Sequence, residues 1–273
     1  MMMGNNQSMF LRFRKAAYRV LAFAGIRPSM RLLLHLVQNN PVPALAAVPL
    51  AERVLVLAPH MDDETIGCGG AIRAHVLAGQ EVHVAFVTDG SGGFPAEDQA
   101  RLTVPARTEI RRKEAAEACS VLGVSRMHCL NLPDGRSRAD GEAVNTLLQL
   151  LTELSPEVVY LPFITDTHYD HATTNRLFLE AVERRPSELG DILCSCYEVW
   201  TPLHPNCIVD ITEYMDTKLL ALACYKSQLA MNNYLDSVKG LNAYRAIANQ
   251  SRGFAEAFFR ISAREYLSIA RQA

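Results

Sequence analysis

The 273-residue chain is as informative for what it lacks as for what it contains. No apolar run approaches the ~18 residues needed to span a bilayer. The seven cysteines are odd in number and include no CxxC pair, so neither a disulfide framework nor a catalytic cysteine is expected. With 49% hydrophobic and 21% charged residues, the composition also excludes a disordered, collagenous or coiled-coil chain.

Acidic residues are absent from residues 1–51, which carry six basic ones: Arg12, Arg14, Lys15, Arg19, Arg27 and Arg31. The other 21 of the 27 basic residues accompany all 29 acidic residues in the rest of the chain. Arg19 interrupts the apolar stretch that a secretory signal would need, so a cytoplasmic location is predicted. Apolar residues at near-helical spacing predict an amphipathic helix in this segment, either packed on the body or peripheral to the inner face of a membrane.

Beyond residue 51, short apolar segments alternate with longer helical ones. Strands are predicted at 53–58, 81–88, 127–132, 158–163, 192–199 and 207–211. Helices are predicted at 65–78, 104–122, 144–154 and 173–184, with mostly helix from residue 214 onward and a long loop at 91–107. Apolar strands separated by helices predict an α/β fold, a doubly wound and mainly parallel sheet with helices on both faces. Residues 1–50 are predicted to form an extension with a proline-containing linker at 39–49, and residues 51–273 the main domain.

The first polar cluster follows the first of these strands: His60, Asp62, Asp63 and Glu64. In an open parallel sheet, ligands bind beyond the carboxyl ends of the strands. Neighbouring carboxylates in a half-buried turn repel one another unless a cation is present, which points to a divalent metal. The alternative, a helix start capped by an aspartate, accounts for only one of the three acids.

A second cluster follows the fourth strand: Asp166, His168, Asp170 and His171. If the first and fourth strands are neighbours, the two clusters converge. Two histidines, one carboxylate and a water make a common catalytic zinc site, leaving one carboxylate as general base and one histidine to face an oxyanion. Amide hydrolysis needs such an assembly, although the spacing alone does not decide which aspartate binds the metal.

These two segments resemble a known family. His60-Met61-Asp62-Asp63-Glu64 resembles the (P/A)HPDDE motif, and His168-Tyr169-Asp170-His171 the HPDH motif, of the LmbE-like or PIG-L zinc-dependent de-N-acetylases. The resemblance extends from about residue 53 to 259 and implies a Rossmann-like fold. Met61 and Tyr169 stand where the motifs have proline, a residue that stiffens a turn but supplies no ligand atom.

The resemblance also implies roles for individual residues. His60, Asp63 and His171 would bind Zn²⁺, with Fe²⁺ as the alternative ion. Asp62 would be the general base, and His168, oriented by Asp170, would face the oxyanion and the leaving amine. Arg111 and Asp134 match positions expected to contact the sugar.

The sequence therefore predicts a metal-dependent hydrolase that removes acetate from an N-acetylglucosamine-type conjugate. Two alternatives stay open: a hydrolase of another N-acyl amide, and a non-catalytic nucleotide- or sugar-binding module. Gly67, Gly69 and Gly70 lack the GxGxxG order, and the adjacent acids would repel phosphate, which favours close helix packing at these glycines. A small amino-sugar conjugate is the expected partner and nucleic acid is not, while lipid contact and a homo-oligomer remain open.

Overall fold

The computed structural model describes residues 43–247 and 253–271. The amphipathic helix predicted in the N-terminal segment lies outside these residues, and the division of the chain at residue 50 stays a prediction. Within the described part, none of the helices combines the length and the apolarity that crossing a bilayer requires.

An eight-stranded sheet forms the centre of the fold. Its strands are β1 (Ala44–Leu45), β2 (Arg53–Ala58), β3 (Glu81–Thr88), β4 (Arg126–Leu132), β5 (Val158–Pro162), β6 (Leu193–Tyr197), β7 (Cys207–Asp210) and β8 (Ala255–Ser262). They lie in the order β1-β7-β8-β6-β5-β2-β3-β4. All neighbouring pairs are parallel except those of β8, which runs antiparallel to both β6 and β7.

The helices are α1 (Asp63–Leu77), α2 (Ala96–Arg101), α3 (Val104–Leu122), α4 (Gly141–Leu154), α5 (Tyr169–Arg184), α6 (Pro186–Leu189), α7 (Met215–Leu222), α8 (Lys226–Leu229), α9 (Tyr234–Ala246) and α10 (Ala263–Ala270). Helices α1, α3 and α7 pack against one another, and α4 packs against α5. The sheet is thus covered on both faces, as the uniformly apolar strands predicted.

Local sequence explains where the principal helices start and stop. The Thr103 hydroxyl accepts a hydrogen bond from the Ala106 amide at the start of α3, and the Asp140 carboxylate caps α4 in the same way. Helix α3 ends at Gly123, whose φ of 85° lies in the left-handed region that glycine adopts without steric cost.

The tail of the chain departs from the prediction. The expectation of mostly helix after residue 214 missed β8, a strand inserted between β6 and β7. Its first residues include two alanines and Glu256, which are depleted in strands, so the local pattern did not reveal it. Tertiary contacts supply the reason, because buried Lys218 pairs with the Glu256 carboxylate at 2.7 Å.

Two further segments differ from expectation. Helix α2 lies inside the stretch predicted as a loop at 91–107. Strand β1 lies inside the predicted linker and pairs with β7, so these two residues extend the sheet at its edge.

The order of the strands decides where a site can form. Strand β2 lies between β5 and β3. After β2 the chain forms β3 on one side of it and later returns to form β5 on the other side. This is a topological switch point, where a crevice opens beyond the carboxyl ends of the strands. Both polar clusters identified in the sequence emerge into that crevice.

Candidate metal centre and active-site cleft

The turn after β2 is strained in a way that exposes its side chains to the crevice. Asp62 has φ 153° and ψ −25°, a conformation that residues with a side chain rarely adopt. Its carboxylate accepts no hydrogen bond from the start of α1, so the capping alternative does not explain this residue. The Glu64 carboxylate instead accepts the Asp62 main-chain N–H at 3.1 Å, which helps to hold the strained turn.

His60, Asp63 and His171 converge as the family resemblance predicted. Asp63 Oδ2 lies 3.1 Å from His60 Nδ1 and 3.1 Å from His171 Nε2. It also accepts the His60 main-chain N–H at 2.8 Å. Burial alone would raise the pKa of Asp63, but the two facing imidazoles hold it well below its ordinary range. The Asp63 carboxylate is therefore an anion placed between two imidazole nitrogens.

The environment of His171 fits a metal ion. Its side chain is fully buried, and its two ring nitrogens lie 3.1 Å from Asp63 and 3.2 Å from Asp166. Neither nitrogen, however, makes a hydrogen bond of acceptable geometry. A buried polar group without a hydrogen bond is costly, and an ion would satisfy it. Ligand atoms each about 2.1 Å from a tetrahedral zinc lie roughly 3.4 Å apart, close to the separations seen here.

Other groupings at the same place could also hold an ion. In the first grouping, ring nitrogens of His60, His168 and His171 lie within 4.8 Å of one another. In the second, a nitrogen of His60 and carboxylate oxygens of Asp134 and Asp170 lie within the same distance of one another. His60 Nε2 lies 3.1 Å from Asp170 Oδ2 and 3.5 Å from Asp134 Oδ1. Although burial lowers the pKa of His60, these carboxylates raise it well above its ordinary value. His60 is thus common to every grouping.

Asp170 is positioned mainly by the β4–α4 loop. Its carboxylate accepts the Gly135 N–H at 2.9 Å and the Ser137 hydroxyl, and it is fully buried. It lies 4.0 Å from His168 Nδ1, further than from His60. The main-chain N–H of Asp170 does donate to His168 Nδ1, at 3.2 Å. Asp170 therefore contacts His168 through its backbone and His60 through its side chain.

His168 caps α5 and lies at the mouth of the crevice, about one third exposed. Burial and the neighbouring His60 and His171 lower its pKa, which favours the neutral imidazole. Its ring meets that of His60 edge-on with centroids 4.7 Å apart. On its other side the Trp200 indole stacks at 6.1 Å with an interplanar angle of 20°.

Arg111 projects from α3 under the strained turn and is almost completely buried. It lies 3.3 Å from Asp62 Oδ2 and donates to the Met61 carbonyl and to Glu114. Burial raises the pKa of Asp62 to about 6, although Arg111 acts to lower it. The arginine that the resemblance assigned to the sugar is thus paired with the predicted general base.

Sequence reasoning placed Asp166 in the second cluster without giving it a role, and it did not connect Tyr225 with the site. The Asp166 carboxylate accepts hydrogen bonds from the main-chain N–H groups of His168 and Trp200, at 3.1 Å each. Tyr225 donates its hydroxyl to buried Glu64 at 2.6 Å, and burial raises the pKa of Glu64 to about 7. In the sequence, only its position two residues before His168 connected Asp166 with the site. Nothing local linked Tyr225, 161 positions away in the chain, to Glu64.

A cavity of about 250 Å³ opens above the cluster. Its lining includes the predicted residues His60, Asp62, Asp63, Arg111, Asp134 and His168. Glycines and Gln228 continue the polar side, whereas Ile66, Val199, Trp200 and Tyr234 supply apolar surface. The glycines 67 and 70 lie beneath, where a Cβ would overlap Tyr197 and Ile211 respectively, so they serve close packing.

The fold and the site together place the protein in one structural class: doubly wound α/β proteins with a cluster of histidines and carboxylates at the switch point of the sheet. The sequence pattern of one family, described as PIG-L: GlcNAc-PI de-N-acetylase, matches residues 55–182. The chain therefore contains a domain of the PIG-L (LmbE-like) family.

The relatives include proteins named as deacetylases and one named as a hydratase. The chain is 27% identical to diacetylchitobiose deacetylase of Thermococcus kodakarensis, over 65% of this chain and 70% of that protein. It is 28% identical to 4-oxalmesaconate hydratase of Pseudomonas putida, over 71% and 81% respectively. Among solved structures, N,N'-diacetylchitobiose deacetylase from Pyrococcus horikoshii matches with a TM-score of 0.69 and 28% identity, covering 79% of this chain and 86% of that one.

Proposed function

We propose that the protein is a metal-dependent hydrolase that releases acetate from an N-acetylglucosamine-type conjugate. The observation that carries the proposal is the convergence of His60 and His171 on one carboxylate oxygen of Asp63, while the ring nitrogens of buried His171 lack hydrogen bonds. Relatives named as deacetylases, which share the family domain, support the reaction class.

In this proposal His60, Asp63 and His171 hold the metal, Zn²⁺ or Fe²⁺. When bound, a dication supplies Lewis-acid polarisation of an amide carbonyl and acidifies a water molecule. Asp166, 3.2 Å from His171 Nδ1, fixes the orientation of that ring.

The protein's own groups then handle the protons. Asp62, with its pKa raised by burial, takes a proton from the attacking water. Neutral His168, whose Nδ1 accepts the Asp170 N–H, donates a hydrogen bond from its other ring nitrogen to the developing oxyanion, and the proton that Asp62 took from the water passes to the leaving amine. Asp134, whose Oδ2 accepts the Gly92 N–H at 2.9 Å, presents an acceptor for a sugar hydroxyl.

Direct product analysis tests this proposal. Purified protein supplemented with Zn²⁺ or Fe²⁺ is incubated with N-acetylglucosamine, N,N'-diacetylchitobiose and lipid-linked N-acetylglucosaminyl compounds. We expect equal amounts of acetate and free amine from at least one of them. Longer N-acyl analogues distinguish a broader amidase. Because one relative is named as 4-oxalmesaconate hydratase, hydration of 4-oxalmesaconate without any acetate release would contradict the proposal.

A further inference from the structure

Trp200, the single tryptophan of the chain, occupies an unusual place at the mouth of the cavity. Its side chain is 53% exposed although its neighbour Val199 and the strand before it are mostly covered. Isolated apolar residues on a surface are common and need no explanation. An exposed indole that is held rigidly beside a catalytic cleft is a different observation, because fixed aromatic surface contributes most to binding.

The loop that carries Trp200 is clamped at both sides. Glu198 accepts the Leu203 main-chain N–H at 2.8 Å, and Arg245 from α9 donates to the Glu198 carboxylate and to the Leu203 carbonyl. The main-chain N–H of Trp200 donates to Asp166 Oδ2 at 3.1 Å. The main chain on either side of Trp200 is thus held, and the indole itself stacks on His168, which reduces the entropy lost on binding.

One face of the indole is already used. It stacks on His168, the residue proposed to face the reacting amide. Trp200 lines the same cavity as Asp134 and Arg111, the residues expected to contact the amino sugar. A single amino-sugar ring fits the cavity of about 250 Å³, so atoms that cover the exposed half of Trp200 belong to whatever is attached to that ring.

We infer that Trp200 is a stacking platform for the ring attached to the amino sugar, so that this side chain sets how strongly the enzyme prefers a conjugate over the free monosaccharide. This inference rests on the proposed de-N-acetylase function. Pyranose rings present an apolar face of C–H groups and a polar rim of hydroxyls, and the indole offers a flat, apolar and electron-rich partner for that face. Trp200 is then a residue that determines specificity and takes no part in proton transfer.

Kinetics on two substrates test the platform. Acetate release from N,N'-diacetylchitobiose and from N-acetylglucosamine is measured for the wild type, Trp200→Ala, Trp200→Phe and Leu220→Ala. The last variant removes an exposed apolar side chain of α7 as a control. We expect the ratio of kcat/KM for disaccharide over monosaccharide to fall at least about tenfold in Trp200→Ala, mainly through KM. Trp200→Phe should restore part of it, and Leu220→Ala should leave it unchanged.

The emission of the single tryptophan provides a second readout that does not depend on turnover. Titration of the wild type with the disaccharide should change this emission to saturation, and the monosaccharide should change it much less. Acetate release with an unaltered ratio in Trp200→Ala, or hydrolysis of the disaccharide without any emission change, would overturn the platform. If neither sugar releases acetate, the proposed function fails, and the emission titration then decides the platform by itself.

Discussion

At the scale of single residues, the predicted general base is held in place by an arginine rather than by a backbone cap. Asp62 is buried, strained and 3.3 Å from Arg111, whose guanidinium also reaches Glu114 and Tyr225. An opposite charge at this distance lowers the pKa of a carboxyl by roughly 1–3 units. Arg111 therefore keeps Asp62 ionised at a pH where burial alone would protonate it.

This pairing gives a pH prediction. Asp62 accepts a proton only when ionised, so kcat/KM should fall as the pH drops through its pKa, with the acidic limb at or below about pH 6 because a bound dication lowers that pKa further. In Arg111→Met the lowering charge is gone, and the limb should move to higher pH by roughly one unit or more. Arg112→Met, on the next position of the same helix, is the control.

A pure sugar-binding role for Arg111 makes a different prediction. KM would then rise in Arg111→Met while the acidic limb stayed where it is in the wild type. That pattern would return Arg111 to the role that the family resemblance assigned to it.

At the scale of elements, α1 is two helical pieces joined at a kink. Cys68 has non-helical angles, and the N–H groups of Gly70 and Ala71, freed by the kink, donate to the Glu256 carboxylate at 2.8 Å each. Lys218 neutralises this carboxylate and donates to the Ile66 carbonyl at 2.9 Å. A buried ion pair from β8 and α7 thus fixes the helix that follows the catalytic turn.

Removing one partner should be costly, because the other charge stays buried alone. Lys218→Met or Glu256→Gln should each lower the free energy of unfolding by about 3–5 kcal/mol, and the double variant should lose less than the sum. Lys239→Met, at an exposed position of α9, should change it by less than about 0.5 kcal/mol. Chemical denaturation measures all four, and simple additivity would show that the pair is not coupled.

The elements also show what the sequence can and cannot reveal. Strands β2 and β3 and helix α3 follow from apolar runs and from Gly123, so their bounds agree with the prediction. Strand β8 could not be found this way, because its Glu256 is satisfied by groups far away in the chain. Local sequence patterns therefore predict these strands and this helix, whereas an exception such as β8 depends on polar contacts between residues far apart in the chain.

The same contrast holds for the site. The two motifs predicted that His60, Asp63 and His171 meet, and the neighbouring of β2 and β5 brings them together. Other features of the site depend on the conformation of loops, which no periodic pattern in the sequence predicts. They are the pairing of Arg111 with Asp62, the hydrogen bonds of Asp166 and the position of Trp200. Residue roles at the site stay a proposal, as does the division of the chain at residue 50.

At the scale of the whole molecule, the charge asymmetry of the sequence acquires a partial explanation. Five of the acidic residues that follow residue 51 gather at one switch point: Asp62, Asp63, Asp134, Asp166 and Asp170. So many carboxylates are compatible with folding because imidazoles, backbone N–H groups and Arg111 surround them. A bound dication would add charge compensation that the formal count omits.

The central claim is that one set of residues holds a metal and another performs the proton chemistry. The most direct test measures metal per chain and acetate release together, for the wild type, His171→Ala and Asp62→Asn. We expect about one ion and full turnover in the wild type, loss of both in His171→Ala, and retained metal without turnover in Asp62→Asn. Equal metal loss in both variants, or undiminished acetate release from a chain freed of metal by a chelator, would contradict the account.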